Sequence, residues 1–236
     1  MAGTVRVERI ATPDGDVDAH VALPESGAGP GIVVLQEIFG VGDYIKESAD
    51  RLAVLGYVAL APDLYWRIER GITLDHDENG MARAFETVQK LDIELAVRDS
   101  IDALKTLREL PEVTDGRAGV LGFCLGGTLA FQVAVHDDPD VAVCYYGSGI
   151  AGSLDRGGSI TCPVLFHFGG QDPYIPREQV DQVAAFAASH PGMECHVQED
   201  AGHAFDNHDA PMFHRPEPAA RAWEITKEFL ARTLPV

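Results

Sequence analysis

Basic residues are scarce in this chain: 18 lysines and arginines stand against 37 aspartates and glutamates, a formal net charge of -19 over 236 residues. That balance argues against nucleic acid or an anionic membrane surface as a partner, since both demand cationic contacts. It also repels anionic substrates at long range, so a carboxylate substrate would need a local basic pocket. Cysteine is sparse as well. The four present, Cys124, Cys144, Cys162 and Cys195, show no C-x-x-C spacing, which disfavours a disulfide framework and suits a reducing compartment. No apolar run is long enough to cross a bilayer, and Met1 to Glu8 lack the basic stretch and apolar core of a signal peptide. The expectation is a cytoplasmic protein. Repeats and low-complexity tracts are absent.

What is present is a chain that is 46% hydrophobic, enough to bury one sizeable core, and a single domain over residues 1–236 is expected. The Gly- and Pro-rich stretches at 24–30 and 151–158 are short enough to be loops. Alternating segments at 4–10 and 17–23 flank Pro13-Asp14-Gly15-Asp16 and predict an opening hairpin. Beyond it, the continuous apolar runs Gly31 to Leu35 and Tyr57 to Leu60 predict strands covered on both faces. Later strands are expected at 141–146, 164–168 and 194–198. Helical spacing marks 44–55, 78–91, 93–110, 177–189 and 217–232, with Leu95, Ile101, Leu104 and Leu107 on the inward side of the third. Strands alternating with helices predict an α/β fold with a mostly parallel sheet, whose sites form at the carboxyl ends of the strands.

One turn carries more chemistry than the rest. Ala118 to Leu121 is an apolar strand signal, Thr128 to Ala134 is helix-compatible, and between them lies Gly122-Phe123-Cys124-Leu125-Gly126-Gly127. This is the Gly-x-nucleophile-x-Gly pattern of a nucleophile elbow, with a thiol in place of the usual serine. Cys144, Cys162 and Cys195 lie within or beside apolar strand-like stretches and are expected to fill space. Cys124 instead precedes a helix N-terminus, which favours a nearby anion.

Two further loops follow strand signals. Asp172 lies in Gly169-Gly170-Gln171-Asp172-Pro173, where an ordinary turn aspartate is the plain alternative. His203 lies in Asp200-Ala201-Gly202-His203-Ala204-Phe205. Nucleophile, acid and histidine in that order is the α/β-hydrolase sequence order, and it singles out His203 among nine histidines. A third loop, Gln36-Glu37-Ile38-Phe39-Gly40, ends the first buried strand. A hydrolase of this fold takes one oxyanion N–H from that loop and one from the residue after the nucleophile, here Ile38 and Leu125. Glu37 is either a surface carboxylate or a base for the thiol proton.

Together with Ala61-Pro62-Asp63-Leu64-Tyr65, these motifs resemble the dienelactone hydrolase family, the carboxymethylenebutenolidases, over nearly the whole chain. The resemblance implies the α/β-hydrolase fold, a Cys124, Asp172 and His203 triad, and Glu37 as a gate for the thiol proton. It also implies a small-molecule enol-lactone substrate bearing a carboxylate, next to Phe39 and bound by arginines and small polar groups. Here the chain departs from the pattern. Met81 and Phe85 stand where the family has an arginine and a tyrosine, and Ala204 and Asn207 where it has a serine and an arginine. Arg67 and Arg83 lie nearby in sequence as possible substitutes.

Three other readings compete. A short-chain carboxylesterase acting on neutral esters fits the missing carboxylate ligands. A noncatalytic binding protein could keep the fold. A metal site from His203, Asp206, His208, Asp209 and His214 fits no metal spacing, so neither metal nor organic cofactor is expected. The chain is expected to be a monomer or a small homo-oligomer.

Overall fold

The computed structural model describes residues 3–236; Met1 and Ala2, part of the N-terminal stretch considered above, lie outside the described residues. Two compact units separate after Val120. The first holds the described residues up to Val120 together with Val236, and the second spans Leu121–Pro235.

The first unit opens with the expected hairpin. Strands β1 (Val5–Thr12) and β2 (Gly15–Ala22) are antiparallel, and Thr12 pairs with Gly15 across the turn. On β2, Val17, Ala19 and Val21 are buried at every second position, as a half-covered strand requires. β3 (Gly29–Leu35) and β4 (Val58–Pro62) are parallel and buried along their whole lengths, which explains their unbroken apolar runs. Helices α1 (Asp43–Val54) and α3 (Ile93–Glu109) pack on these strands, and α2 (Glu78–Val88) lies between them in sequence. Asp77 and Asp92 cap α2 and α3 by accepting the backbone N–H of Gly80 (2.7 Å) and Leu95 (3.1 Å).

The inward face of α3 differs from expectation. Leu104 and Leu107 are buried, but Leu95 and Ile101 are only half-buried, and Asp99 and Ser100 take inward positions. Burial of these polar groups is tolerated because each has a partner. Ser100 donates to the Ala96 carbonyl at 2.7 Å, while Asp99 accepts from the Trp66 indole at 2.8 Å and pairs with Arg67.

Strand β5 (Val113–Phe123) starts upstream of the apolar run that predicted it and leads the chain into the second unit. There α4 (Leu125–His136) precedes β6 (Ala142–Tyr145), β7 (Val164–Gly169), α5 (Arg177–Ala188), β8 (Met193–Gln198) and α6 (Pro216–Thr233). β6 and β8 both pair in parallel with β7, while α4 packs on β6 and α5 and α6 on β8. The stretch at 151–158, expected as a loop, is instead a 3-10 helix over Ala151–Ser159. Side chains fasten it to α4: Gln132 donates to Ser153 at 2.9 Å and Ser159 donates to the Val135 carbonyl at 3.0 Å. The strand and helix alternation, with its antiparallel opening, is the α/β-hydrolase arrangement.

Three of the four thiols are placed to fill space. Burial pushes the Cys144 thiol far up and those of Cys162 and Cys195 up to about 12, so none is a ready thiolate near neutral pH. No helix among the described residues is long and apolar enough to cross a membrane. The second unit's core includes Phe131 and Phe166, whose rings lie 6.0 Å apart with neither exposed. Phe166→Ala is expected to lower unfolding stability by about 3–5 kcal/mol, measured by urea denaturation; a loss below about 1 kcal/mol would contradict this packing.

Candidate active site

Cys124 occupies the turn between β5 and α4 with φ 54 and ψ -112. A residue with a Cβ adopts positive φ only where its neighbours hold it. The Cys124 N–H donates to the Tyr145 carbonyl at 3.0 Å, and its own carbonyl accepts from Thr128 N–H at 3.2 Å. The flanking glycines are steric necessities. A Cβ on Gly122 would overlap the Gly126 carbonyl, and one on Gly127 would overlap the Tyr145 carbonyl. The thiol is thereby lifted to the N-terminus of α4, where Leu125 supplies one of the N–H groups that lack intrahelical acceptors.

The structure brings Asp172 and His203 to this thiol, all within the second unit. His203 Nε2 lies 3.1 Å from Cys124 Sγ, and Nδ1 lies 2.7 Å from Asp172 Oδ2. The other carboxylate oxygen, Oδ1, accepts the backbone N–H groups of Tyr174 (2.8 Å) and Ile175 (3.2 Å). Asp172 is therefore a turn aspartate and an imidazole partner at once. Its side chain has no exposure, so the carboxylate is oriented from both sides.

The imidazole is under opposing influences. Burial disfavours its charged form, but the charge on Cys124 outweighs this together with the hydrogen bonds to Asp172 and Cys124. The result is a pKa raised to about 10. The imidazolium therefore persists where an exposed histidine would be neutral, and it is lost only as pH rises through about 10.

Two aromatic rings that the sequence did not flag surround this histidine. Tyr146, with φ 37, places its ring 5.2 Å from the imidazole, and Tyr174 meets it edge-on at 5.2 Å. Their signal in the sequence was only position: Tyr146 follows β6 directly, and Tyr174 lies two residues after Asp172.

The remaining candidates divide between the units. Glu37, Ile38, Phe39, Met81 and Phe85 belong to the first. Glu37 is buried at 2% exposure, which removes the reading of a surface carboxylate. The Ile38 carbonyl accepts the Tyr65 hydroxyl at 2.9 Å, and Phe39 packs on His76 with ring centres 4.1 Å apart. Met81 is half-buried and Phe85 exposed on α2. In the second unit Ala204 is buried with φ 52, and Asn207 is buried with Oδ1 accepting Asp209 N–H at 2.9 Å.

Neither substitute arginine is an unpaired cation. Arg67 pairs with Asp99 and with Asp14 (2.8 Å), its guanidinium lying over Trp66, and Arg83 pairs with Glu69 (3.1 Å) on the surface. Among the described residues no group of three His, Cys, Asp or Glu side chains is arranged to hold a metal ion.

The chain resembles known proteins along nearly its whole length. The dienelactone hydrolase family model matches residues 17–234. A carboxymethylenebutenolidase of Pseudomonas putida is 38% identical over 188 residues, 79% of each chain. One from Pseudomonas sp. strain P51 is 36% identical over 94% of this chain and 92% of its own. The crystal structure of a putative dienelactone hydrolase from Klebsiella pneumoniae superposes with TM-score 0.83 at 25% identity, covering 98% of this chain and 100% of that one.

The electrostatics can be measured directly. By NMR, the His203 imidazole is expected to titrate near pH 10, with a clearly lower midpoint in Cys124→Ala, where the sulfur charge is gone; an unchanged midpoint would contradict the pairing.

Proposed function

Because the chain belongs to the dienelactone hydrolase family, we propose that residues 1–236 act as one hydrolase domain that opens activated lactones or esters through a thioester on Cys124. One observation carries the reading: the unbroken hydrogen-bonded line from Cys124 Sγ through His203 to Asp172. A noncatalytic binding protein has no need of that line. The continuous family match from residue 17 to 234 supports a single domain.

In the proposed cycle the Cys124 proton passes to His203 or to Glu37, and the thiolate attacks the substrate carbonyl. The carbonyl π pair moves to oxygen, which is stabilised by the N–H groups of Ile38 and Leu125, each contributing roughly 3 kcal/mol. Collapse breaks the carbon–oxygen bond of the ring or ester, leaving a thioester and an enolate or alkoxide. Whichever group took the thiol proton, the His203 imidazolium or the Glu37 carboxylic acid, gives it to that leaving group. His203, held by Asp172, then takes a proton from water, whose oxygen attacks the thioester and releases the acid and the thiolate.

The thiol sets which substrates suit this cycle. A thiolate is itself a good leaving group, so an amide intermediate returns to reactant, whereas a resonance-stabilised enolate departs readily. The pairing of Arg67 and Arg83 with protein carboxylates, and the apolar side chains at Met81, Phe85 and Ala204, favour a neutral acyl group over a carboxylate-bearing one.

A panel of enol lactones and short esters tests this, comparing each carboxylic acid with its methyl ester. The neutral form is expected to turn over at least as fast, with Cys124→Ala inactive yet folded. A strong preference for the acid would overturn the substrate assignment, and retained turnover in Cys124→Ala the nucleophile. Glu37→Gln is expected to alter the rate and pH dependence of Cys124 alkylation by iodoacetamide, and an unchanged profile would remove Glu37 from proton transfer.

A further inference from the structure

The Ala61-Pro62-Asp63-Leu64-Tyr65 loop has no part in the cycle above, yet its contacts converge on the segment after β3. Three successive carbonyls of that segment are held. Glu37 O accepts Gln36 Nε2 at 3.4 Å, Ile38 O accepts the Tyr65 hydroxyl at 2.9 Å, and Phe39 O accepts Leu74 N–H at 3.0 Å. Gln36 is itself fixed, fully buried with its Oε1 accepting Leu64 N–H at 3.0 Å.

The loop that supplies the Tyr65 hydroxyl and the Leu64 N–H is itself hydrogen-bonded. Asp63 accepts Tyr65 N–H at 3.1 Å through Oδ1 and Gly71 N–H at 2.7 Å through Oδ2. The ring of Tyr65 is fully buried. All of these residues lie in the first unit.

A trans peptide is planar, with its C=O and the following N–H pointing in opposite directions. Fixing Glu37 O therefore fixes the direction of Ile38 N–H, and fixing Ile38 O holds the adjoining peptide plane. Both planes that meet at Ile38 are thus anchored from behind by side chains of Gln36 and Tyr65. We propose that Gln36 and Tyr65 are positioning residues that preorganise the Ile38 amide as an oxyanion donor, a role that rests on the reading of Ile38 given above. A donor held in place before charge develops needs no reorganisation when it does, which is where such groups gain their catalytic effect.

The proposal separates steps that form an oxyanion from steps that do not. A short-chain alkyl trifluoromethyl ketone adds to Cys124: the Sγ–C bond forms, the carbonyl π pair moves to oxygen, and the resulting oxyanion needs the donor. Iodoacetamide alkylates the same thiolate by displacing iodide from a CH2 group, with no oxyanion. Two variants remove the anchors with little change in shape, Tyr65→Phe and Gln36→Met.

Each variant is expected to weaken ketone inhibition about tenfold and to lower ester kcat by a similar factor, since small misplacements of aligned groups have large rate effects. KM and the rate of Cys124 alkylation, followed by mass spectrometry, are expected to stay within about twofold. Ketone affinity and kcat like wild type in both variants would overturn the brace. So would alkylation slowed as much as turnover, because that marks general damage to the site. A wild-type protein that does not add the ketone at Cys124 would overturn the oxyanion reading and the brace together.

Discussion

The backbone of Cys124, with φ 54 and ψ -112, occupies a region that costs a side-chain-bearing residue about 1–3 kcal/mol and persists only where the surroundings leave no alternative. Those surroundings are specific. The end of β6 accepts the Cys124 N–H, α4 begins immediately afterwards, and Gly122 and Gly127 are bare where a Cβ would meet a carbonyl. Because the turn is fixed, the sulfur is fixed, and the distance to His203 follows from where the β8 loop ends. The same strand end that holds the Cys124 amide continues into Tyr146, whose ring lies against His203. The Cys124 thiol and the imidazole are therefore referenced to one short piece of backbone.

This geometry shapes the electrostatics. Cys144, Cys162 and Cys195 show what burial does to a thiol without a cationic neighbour: it holds the proton. Cys124 has an imidazole at 3.1 Å, and the sulfur raises that imidazole toward the charged form despite its burial. In the proposed cycle the imidazolium is then ready to protonate a departing enolate, while Asp172 keeps the ring aligned through both halves of the reaction.

Much of this was legible because each site residue follows an apolar strand. Cys124, Asp172 and His203 stand after β5, β7 and β8, so strand signals placed them at one end of the fold before any distance was known. What remained hidden depends on tertiary pairing. Nothing local says that Asp99 turns inward on α3, because its burial is made possible by Trp66 and Arg67 from a distant loop. The 3-10 helix at Ala151–Ser159 was equally hidden, since its glycines suggest a loop and its order comes from contacts with α4. Gln36 and Tyr65 were visible as parts of motifs, but their hydrogen bonds to the two peptides that meet at Ile38 could not be read from spacing.

Charge provides the last step. A molecule with a formal charge of -19 repels carboxylates unless a local cation reverses its field. The two arginines named above as possible substitutes are already paired, Arg67 with a buried aspartate and Arg83 with a glutamate. Freeing Arg67 would strand Asp99 as a buried unpaired charge, which is strongly destabilising. The arginine is thus committed to the fold. Met81, Phe85 and Ala204 add no charge, and Asn207 directs its side-chain oxygen to the backbone of its own turn. The chain belongs to the dienelactone hydrolase family, both named arginines are committed to protein carboxylates, and the proposed function accordingly favours a neutral activated ester.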